Sequence, residues 1–532
     1  MIIRSLLLAF ALFAPALALA ESAPKVELGA PYRVVDAKDK QYFKVGAEMV
    51  SVKINGDEFT IQRFDVTKMT QVSSAVWELP KGAQLETIET FDGTLILFYS
   101  VWDKPAQKEQ LFFATLDAKT GSFPAEGSRI MAVDGKVTGR LVATGFYQFQ
   151  TVDKFVVHHA SDEKKLLVEY RKKPESRDDS VNHDVIGVGV FGAGMAELWH
   201  KEYRMPYTEE KMDRLATTVD PAGTAYLLAK VREGEGDQER VKGEPNYHVE
   251  VLRMESKGDQ IGVTPVEFSG KFVQTMAIFD AGAAGLVGAG LYNQGSKRGS
   301  ADGFFTVSLG KAGVPGTPVF HEIPTDVLAQ YANVWEKLSL SAKGKEAELP
   351  WMVFSRMVTA NDGSVTLIAE QQWIETRTYT SPQGVTTTTY IYHYDDILVA
   401  HVDGKGKLQW MKRIAKHQSG ARRPGGLSFE HFAAGGKQFI LYFDNVKNLD
   451  IKDDETPAGH VDGAGGFLTA VEIDDSTGAV NKLSILDSRD VGGIEIYQVG
   501  ADRIIPISAN AFVMEAYKKK KEDVLIRVTL PE

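Results

Sequence analysis

Asp184 to Trp199 reads DVIGVGVFGAGMAELW, and Asp395 to Trp410 reads DDILVAHVDGKGKLQW. The two stretches align without a gap. Each is an apolar, β-branched run, a tight Gly-containing turn, and a second run that ends in Trp. A charged strand follows in both, His200 to Arg204 and Met411 to Arg413. Period-two runs joined by a Gly turn are the pattern of a β-hairpin. One hairpin used twice in a chain points to a repeat architecture.

Related half-units extend the pattern. A turn followed by an apolar strand recurs at Phe91 to Phe98, Asp220 to Leu228 and Asn361 to Ile368. A strand running into an Asp/Gly turn recurs at Leu111 to Gly121 and Phe467 to Gly478. Candidate units lie near 42–80, 85–131, 147–206, 213–268, 271–324, 351–416, 424–487 and 492–530. Their irregular length sits in polar loops such as Arg171 to His183, Arg232 to Asn246 and Lys447 to Gly466. This predicts an all-β chain: one closed β-propeller of seven or eight four-stranded blades. The short run Tyr32 to Val35 has no partner of its own in the sequence. It is expected to join the last blade and close the ring, which would protect an open edge. Thr325 to Leu338 breaks the pattern, with Val327, Leu328, Tyr331, Val334, Trp335 and Leu338 at helical spacing. A short helical insertion is expected there, capped by Thr325, with its apolar face on the blades.

Composition bounds the rest. The 532 residues are 43% apolar and 25% charged, which is ample for a core. The absence of Cys excludes disulfides, thiolate metal sites, a Cys nucleophile and a Cys-linked lipid anchor. Met1 to Ala20 has an early Arg4, an apolar Leu6 to Phe13 and a small-residue Ala18-Leu19-Ala20 end. That is the layout of a secretory signal peptide, so residues 21–532 are expected to be an exported propeller, periplasmic or extracellular. No other run reaches the ~18 apolar residues that a spanning helix needs. The net charge of −11 disfavours nucleic acid and anionic membrane as partners. The basic run Lys518 to Lys521 lies between two strand-like runs and reads as a hairpin tip.

Two motifs add a resemblance. Asp117 to Gly121 and Asp474 to Gly478 share a D-x-x-T-G turn, and Gly406 to Trp410 has a Gly-x-Leu-x-Trp ending. These resemble quinoprotein-type propeller repeats, with the WD40-like architecture that implies. Glu197 to Tyr203, Gly243 to Tyr247, Ala369 to Gln372, Thr386 to Tyr394 and Asp444 to Leu449 together look like a family of uncharacterised secreted bacterial β-propeller-like proteins. The resemblance implies export and fold. It carries over no activity and no catalytic residues.

Sites that carry chemistry are sparse. Gly187 to Gly192 spells G-x-G-x-x-G but lies inside a strand and its turn, where a dinucleotide motif needs a following helix. Glycines on an inner strand, where blades converge, explain it instead. His158 and His159 would point to opposite faces of a strand and cannot share a metal simply. No G-x-S-x-G elbow and no sialidase-type box appears. The acidic loop Asp450, Asp453, Asp454 and Glu455 is the best place for a hard cation, so calcium is the one cofactor the sequence suggests. Trp373, Arg377 and Tyr379, with the basic-loop residues His417, Arg422 and Arg423, form the candidate binding face, since Arg and aromatics anchor interfaces. The expected function is a non-catalytic binding or scaffold module, monomeric by default, that engages a protein or glycan through loop-decorated disc faces. The alternative is a carbohydrate-active propeller enzyme with carboxylates in the central funnel.

Overall fold

The computed structural model describes residues 23–531, apart from 146–147, 177, 235–237, 282–284, 296–298, 311–312, 344–347, 361, 422–425, 463–465, 499 and 519–520. The expected leader and the two loop arginines, Arg422 and Arg423, lie outside the described residues.

The twin stretches fold as the same hairpin. His183–Phe191 pairs antiparallel with Glu197–Thr208, and Thr386–Val402 pairs with Leu408–Ile414. Trp199 lies opposite Val190, and Trp410 lies opposite His401, the position aligned with Val190. Both registers shift at the next residue, between Val190 and Phe191 and between His401 and Val402. A bulge at this point bends and twists the strand as it enters the turn. Each Trp then donates Nε1–H to the following sheet: Trp199 to Gly223 O at 2.9 Å, Trp410 to Asp475 O at 2.8 Å. Trp77, on the last strand of the first sheet, donates likewise to Pro124 O at 2.8 Å. The Trp-ended strand is a staple between neighbouring sheets. Gly478 of the D-x-x-T-G turn shows what this contact requires. Its φ is +67°, and a Cβ there would stand 2.6 Å from the Trp410 ring.

Eight sheets of four or more strands follow one another along the described chain. Seven are built from strands close together in sequence, the first from Asp39–Val45 to Thr70–Glu78 and the seventh from Glu430–Ala434 to Val480–Asp487; the sixth also takes in His460–Val461, from the loop between two strands of the seventh. The eighth combines both ends of the chain. Glu522–Thr529 pairs on one side with Ala511–Lys518 and on the other with Lys25–Leu28 and Tyr32–Arg33. Tyr32 lies opposite Asp523, and Val34 N–H reaches Lys521 O at 3.0 Å. The Lys518 and Glu522 side chains pair at 3.1 Å across the hairpin that carries the basic run.

The core is divided among the gaps between sheets. Val52, Phe59 and Leu97 join the first sheet to the second, and Phe98, Val168 and Phe191 join the second to the third. The series continues in order through the seventh and eighth sheets, joined by Leu441, Leu468, Met514 and Ile526. A further cluster joins the eighth to the first through Val513, Leu525, Met49 and Phe64. Each such side chain contributes roughly 1.5–3 kcal/mol on burial. First strands lie against each other, for example Met212–Val219 against Phe272–Asp280 and Asp39–Val45 against Ile504–Ser508. This is an all-β, β-propeller-like fold.

Two expectations are corrected. The insertion is two helices, α1 (Thr325–Ala329) and α2 (Val334–Lys343). Thr325 is not the cap: Pro324 holds that position without a side-chain hydrogen bond. Gln330 is extended and Tyr331 has φ +53°, which breaks the helix. Asn333 restarts it with a capping box. Its Oδ1 accepts from Trp335 N and Glu336 N at 2.9 and 3.0 Å, and Glu336 Oε2 accepts from Asn333 N at 3.1 Å. The restart turns Glu336 inward and leaves Val334, Trp335 and Leu338 exposed, while Val327 and Leu328 are buried. The second correction concerns Gly187 and Gly189. They lie on the third strand of the third sheet, flanked on both sides, not on an inner edge. A Cβ at Gly187 would meet the Tyr170 ring at 1.9 Å, so these glycines make room for a buried neighbour.

Candidate functional site

In a four-stranded meander, the connection between the second and third strands emerges at the same end as the connection to the next sheet. The opposite end carries the other two connections. At that opposite end the turns are mostly short, as at 46–47, 92–93, 403–407 and 435–436. The first end is loaded, most heavily around the sixth sheet. It holds the helical insertion, the long hairpin of Val365–Thr380 and Thr386–Val402, and the 415–429 and 445–466 loops. These pieces knit together. Gln418–Gly420 pairs parallel with His460–Val461, and Tyr331 N–H donates to Asp453 O at 2.7 Å.

A stack of four rings stands on this end. Trp351 and Trp373 lie 5.3 Å apart at 26°, Trp373 and His393 lie 3.7 Å apart at 5°, and His393 and His417 lie 6.3 Å apart at 20°. Asp395 clamps the stack: Oδ2 accepts from Trp373 Nε1 at 2.7 Å, and Oδ1 pairs with His417 Nδ1 at 2.7 Å. The hydrogen bond to Asp395 raises the His417 pKa against the opposing effect of burial. Burial pushes Asp395 upward, but His417 and Trp373 hold it below its ordinary value. Glu375 pairs with His393 at 3.3 Å and with Arg377 at 2.6 Å.

The support beneath is buried and ionic. Lys416, with no exposed side chain, pairs with Glu370 at 2.8 Å and donates to Tyr394 O at 2.7 Å. Arg413 is held by Asp396 at 2.8 Å, Glu336 at 2.9 Å and Leu328 O at 3.0 Å, so it ties α1 and α2 to the sheet. Burial raises Asp396 to about 6 although Arg413 lies beside it. Gln371 Nε2 donates to Pro350 O at 3.2 Å and Glu336 Oε1 at 3.3 Å, fixing the backbone before Trp351. Trp351 itself has φ +56° and is 50% exposed. That left-handed conformation costs a non-glycine residue roughly 1–2 kcal/mol.

The structure brings Trp373 and His417 together through Asp395. Arg377 stands beside them on Glu375, and Tyr379 is exposed farther along the hairpin. The acidic loop docks on the insertion. Asp453 accepts from Gln330 at 3.1 Å and Tyr331 OH at 3.2 Å, Asp454 O accepts from Lys337 at 3.1 Å, and Glu455 accepts from Lys452 N at 3.0 Å. Asp450 is exposed. Among the described residues, no three metal-ligating side chains converge. Carboxylates near the first strands bridge sheets: Glu89 to His159 at 3.3 Å, Glu430 to Arg356 at 3.3 Å, and Glu169 to Arg214.

No family model matches the chain, and no curated protein matches it. Among solved structures it is similar to the WD40 domain of SCAP from fission yeast, at 8% identity and TM-score 0.36, over 95% of this chain and 94% of that one. It is similar to the β-propeller domain of the Trilobed protease from Pyrococcus furiosus, at 11% and 0.34, over 85% and 100%. It is also similar to prolyl oligopeptidase B from Galerina marginata, at 9% and 0.37, over 94% of this chain but 55% of that one, so it spans about half that protein. These values carry no residue across. The fold assignment rests on the sheet order and the clusters between sheets.

Sequence reading missed Trp351, Asp395 and Glu336, left His393 without a role, and took Arg413 and Lys416 as parts of a charged strand and a basic loop. For Asp395 and Lys416 a signal existed: each adjoins a residue or run already singled out. Trp351 had none, because its role depends on a backbone angle and on a strand that begins after it.

Proposed function

We propose that the eight sheets are blades of one ring, exported by the Met1 to Ala20 leader, and that the chain is a non-catalytic binding or scaffold module. It takes a protein or glycan on its loop-bearing end. Two observations support the ring: clusters run between every consecutive pair of sheets, including the eighth and the first, and the N-terminal strands complete the last sheet. The observation that carries the binding reading is the clamped ring stack, whose buried ionic support holds aromatic surface at the loaded end. Rigid aromatic surface loses little entropy on binding. Three inner carboxylates, Glu89, Glu169 and Glu430, are engaged in bridges between sheets, which favours the binding reading over the enzyme alternative.

Photo-cross-linking from two positions tests this. A photoreactive side chain replaces Tyr379 on the loaded end in one protein and Lys405 in the opposite turn in another. Irradiation in the producing cell should give discrete adducts from position 379 alone. Equal labelling from both, or labelling from 405 only, would reject the loaded end as the binding face.

A further inference from the structure

The geometry points to a ligand class for the ring stack: a neutral glycan whose sugar ring lies on Trp351. This inference rests on the binding-face reading above.

Three observations lead there. The first is strain. Trp351 is a bulky residue at φ +56°, followed at once by the regular strand Met352–Thr359. Strain persists where surrounding contacts impose it, and it gathers at binding and catalytic sites. Here Gln372 N–H donates to Trp351 O at 2.9 Å, Gln371 holds Pro350 O, and the indole lies against Trp373. The result is an indole supported through one face and half exposed.

The second is rigidity. Trp373 is locked between Trp351 and His393, and its Nε1–H is tied to Asp395. Little motion remains to be lost when a ligand lands, so a weak, flat contact can still produce binding. The axial C–H face of a pyranose matches an indole in size and apolarity, and C–H groups interact favourably with aromatic faces.

The third is charge balance. In a chain of net charge −11, the carboxylates named around the stack each have a cationic neighbour among the described residues, with Asp396 and Glu336 sharing Arg413. Asp395 has His417 at 2.7 Å, Glu375 has Arg377 at 2.6 Å, Glu370 has Lys416 at 2.8 Å and Glu336 has Arg413 at 2.9 Å. The exposed pair beside the rings, Glu375 and Arg377, presents no net charge, which favours a neutral ligand over an ionic one. The part-exposed His417 and the Glu375–Arg377 fork offer donors and acceptors suited to equatorial hydroxyls.

The test titrates the full exported chain with cellohexaose, maltohexaose and chitohexaose, with hexagalacturonate as the charged control, by calorimetry and tryptophan fluorescence. At least one neutral hexaose should bind with a millimolar or tighter Kd and perturb the fluorescence. Trp351→Ala should weaken it about tenfold or more, a shift readily resolved by calorimetry. Trp351→Phe should retain most of the affinity. Trp351→Gly relieves the backbone, so it should melt no lower than Trp351→Ala while also losing the sugar. That separates a binding role from a folding role. Failure of all three neutral sugars at millimolar concentration, binding of hexagalacturonate alone, or unchanged affinity in Trp351→Ala would overturn the glycan assignment. Should the sugars fail while the position-379 adducts persist, the face stands and its ligand is not a glycan. Should both fail, the face falls too.

Discussion

Among the described residues, two lysines have no exposed side chain, and both sit against a fully buried glutamate at 2.8 Å: Lys53 on Glu515 and Lys416 on Glu370. The chemistry is the same, but the placement is not. Lys53 belongs to the first sheet, and its partners Glu515 and Asp523 belong to the eighth. Tyr32 and Tyr42 donate to the two oxygens of Glu515 at 2.6 and 2.7 Å. Burial pushes Glu515 upward, yet Lys53 and the two hydroxyls hold it below its ordinary value, and burial pushes both tyrosines far above theirs. Everything in that cluster turns inward and joins the two ends of the chain. The Lys416 cluster gathers groups from one sheet and its loops, and it leads outward through Asp395 to His417, Trp373 and Trp351. A buried ion pair is weak evidence for net stability, but removing one partner leaves the other charge stranded. So the same device joins the two ends of the chain in one place and holds a surface in the other.

The comparison breaks first at the chain ends. Deleting residues 23–33 removes the edge strands and Tyr32 together, and should lower the melting temperature of the whole domain more than any point change. An unchanged melt would show that the N-terminal pairing does not close anything. Next, Lys53→Met strands Glu515 and Asp523 in the interior. It should cost about 3–5 kcal/mol in denaturant unfolding. Lys416→Met strands Glu370 alone, and Ser428 and Gln372 still donate to that side chain at 2.8 Å each. Its cost should be smaller, about 1–3 kcal/mol. Its hydrogen exchange should rise at the sixth sheet and the 415–429 loop while the first and eighth sheets stay protected. Global loss of protection would erase the distinction drawn between the clusters.

The smallest effect is set by pH. His431, near the sixth–seventh junction, is pushed by burial to about 4, against the hydrogen bond that its Nε2–H donates to Gln438 Oε1. A histidine with a lowered folded pKa binds protons more weakly than the unfolded chain does. Stability at this junction should therefore fall as pH drops from about 6.5 towards 4. His417 works in the other sense. Asp395 raises it, so its contribution is complete below the unfolded value and lost as pH rises through the folded one. In the Lys53 cluster Glu515 is held below its ordinary value, so its protonation belongs below the ordinary carboxylate range, while burial and Glu515 push the neighbouring Asp523 upward. Exchange measured from pH 7 to pH 4 should open the sixth–seventh junction before the first–eighth. The reverse order would place the weaker acid response at the wrong end of the comparison.

Much of the architecture was legible from residues alone. The twin hairpins share register, bulge position and Trp staple because each depends on period two, a turn and one large ring, all local in sequence. The helical insertion was half legible. Its spacing was right, but Asn333 and Glu336 formed a cap that reset the helix and reversed which side chains face water. Of the residues expected on the binding face, Trp373 and His417 meet because the long hairpin and the loop after it share a sheet. Trp351 joins them only through a left-handed backbone.

By itself the sequence determined the strands, their turns and their order, since those follow from alternation, glycine and proximity along the chain. The tertiary structure alone decided which distant charges could be buried and which aromatic face stayed open. A lysine such as Lys53 looks like any surface lysine until Glu515, far along the chain, arrives at 2.8 Å. Burial depends on what meets across the fold, and no local pattern carries that information.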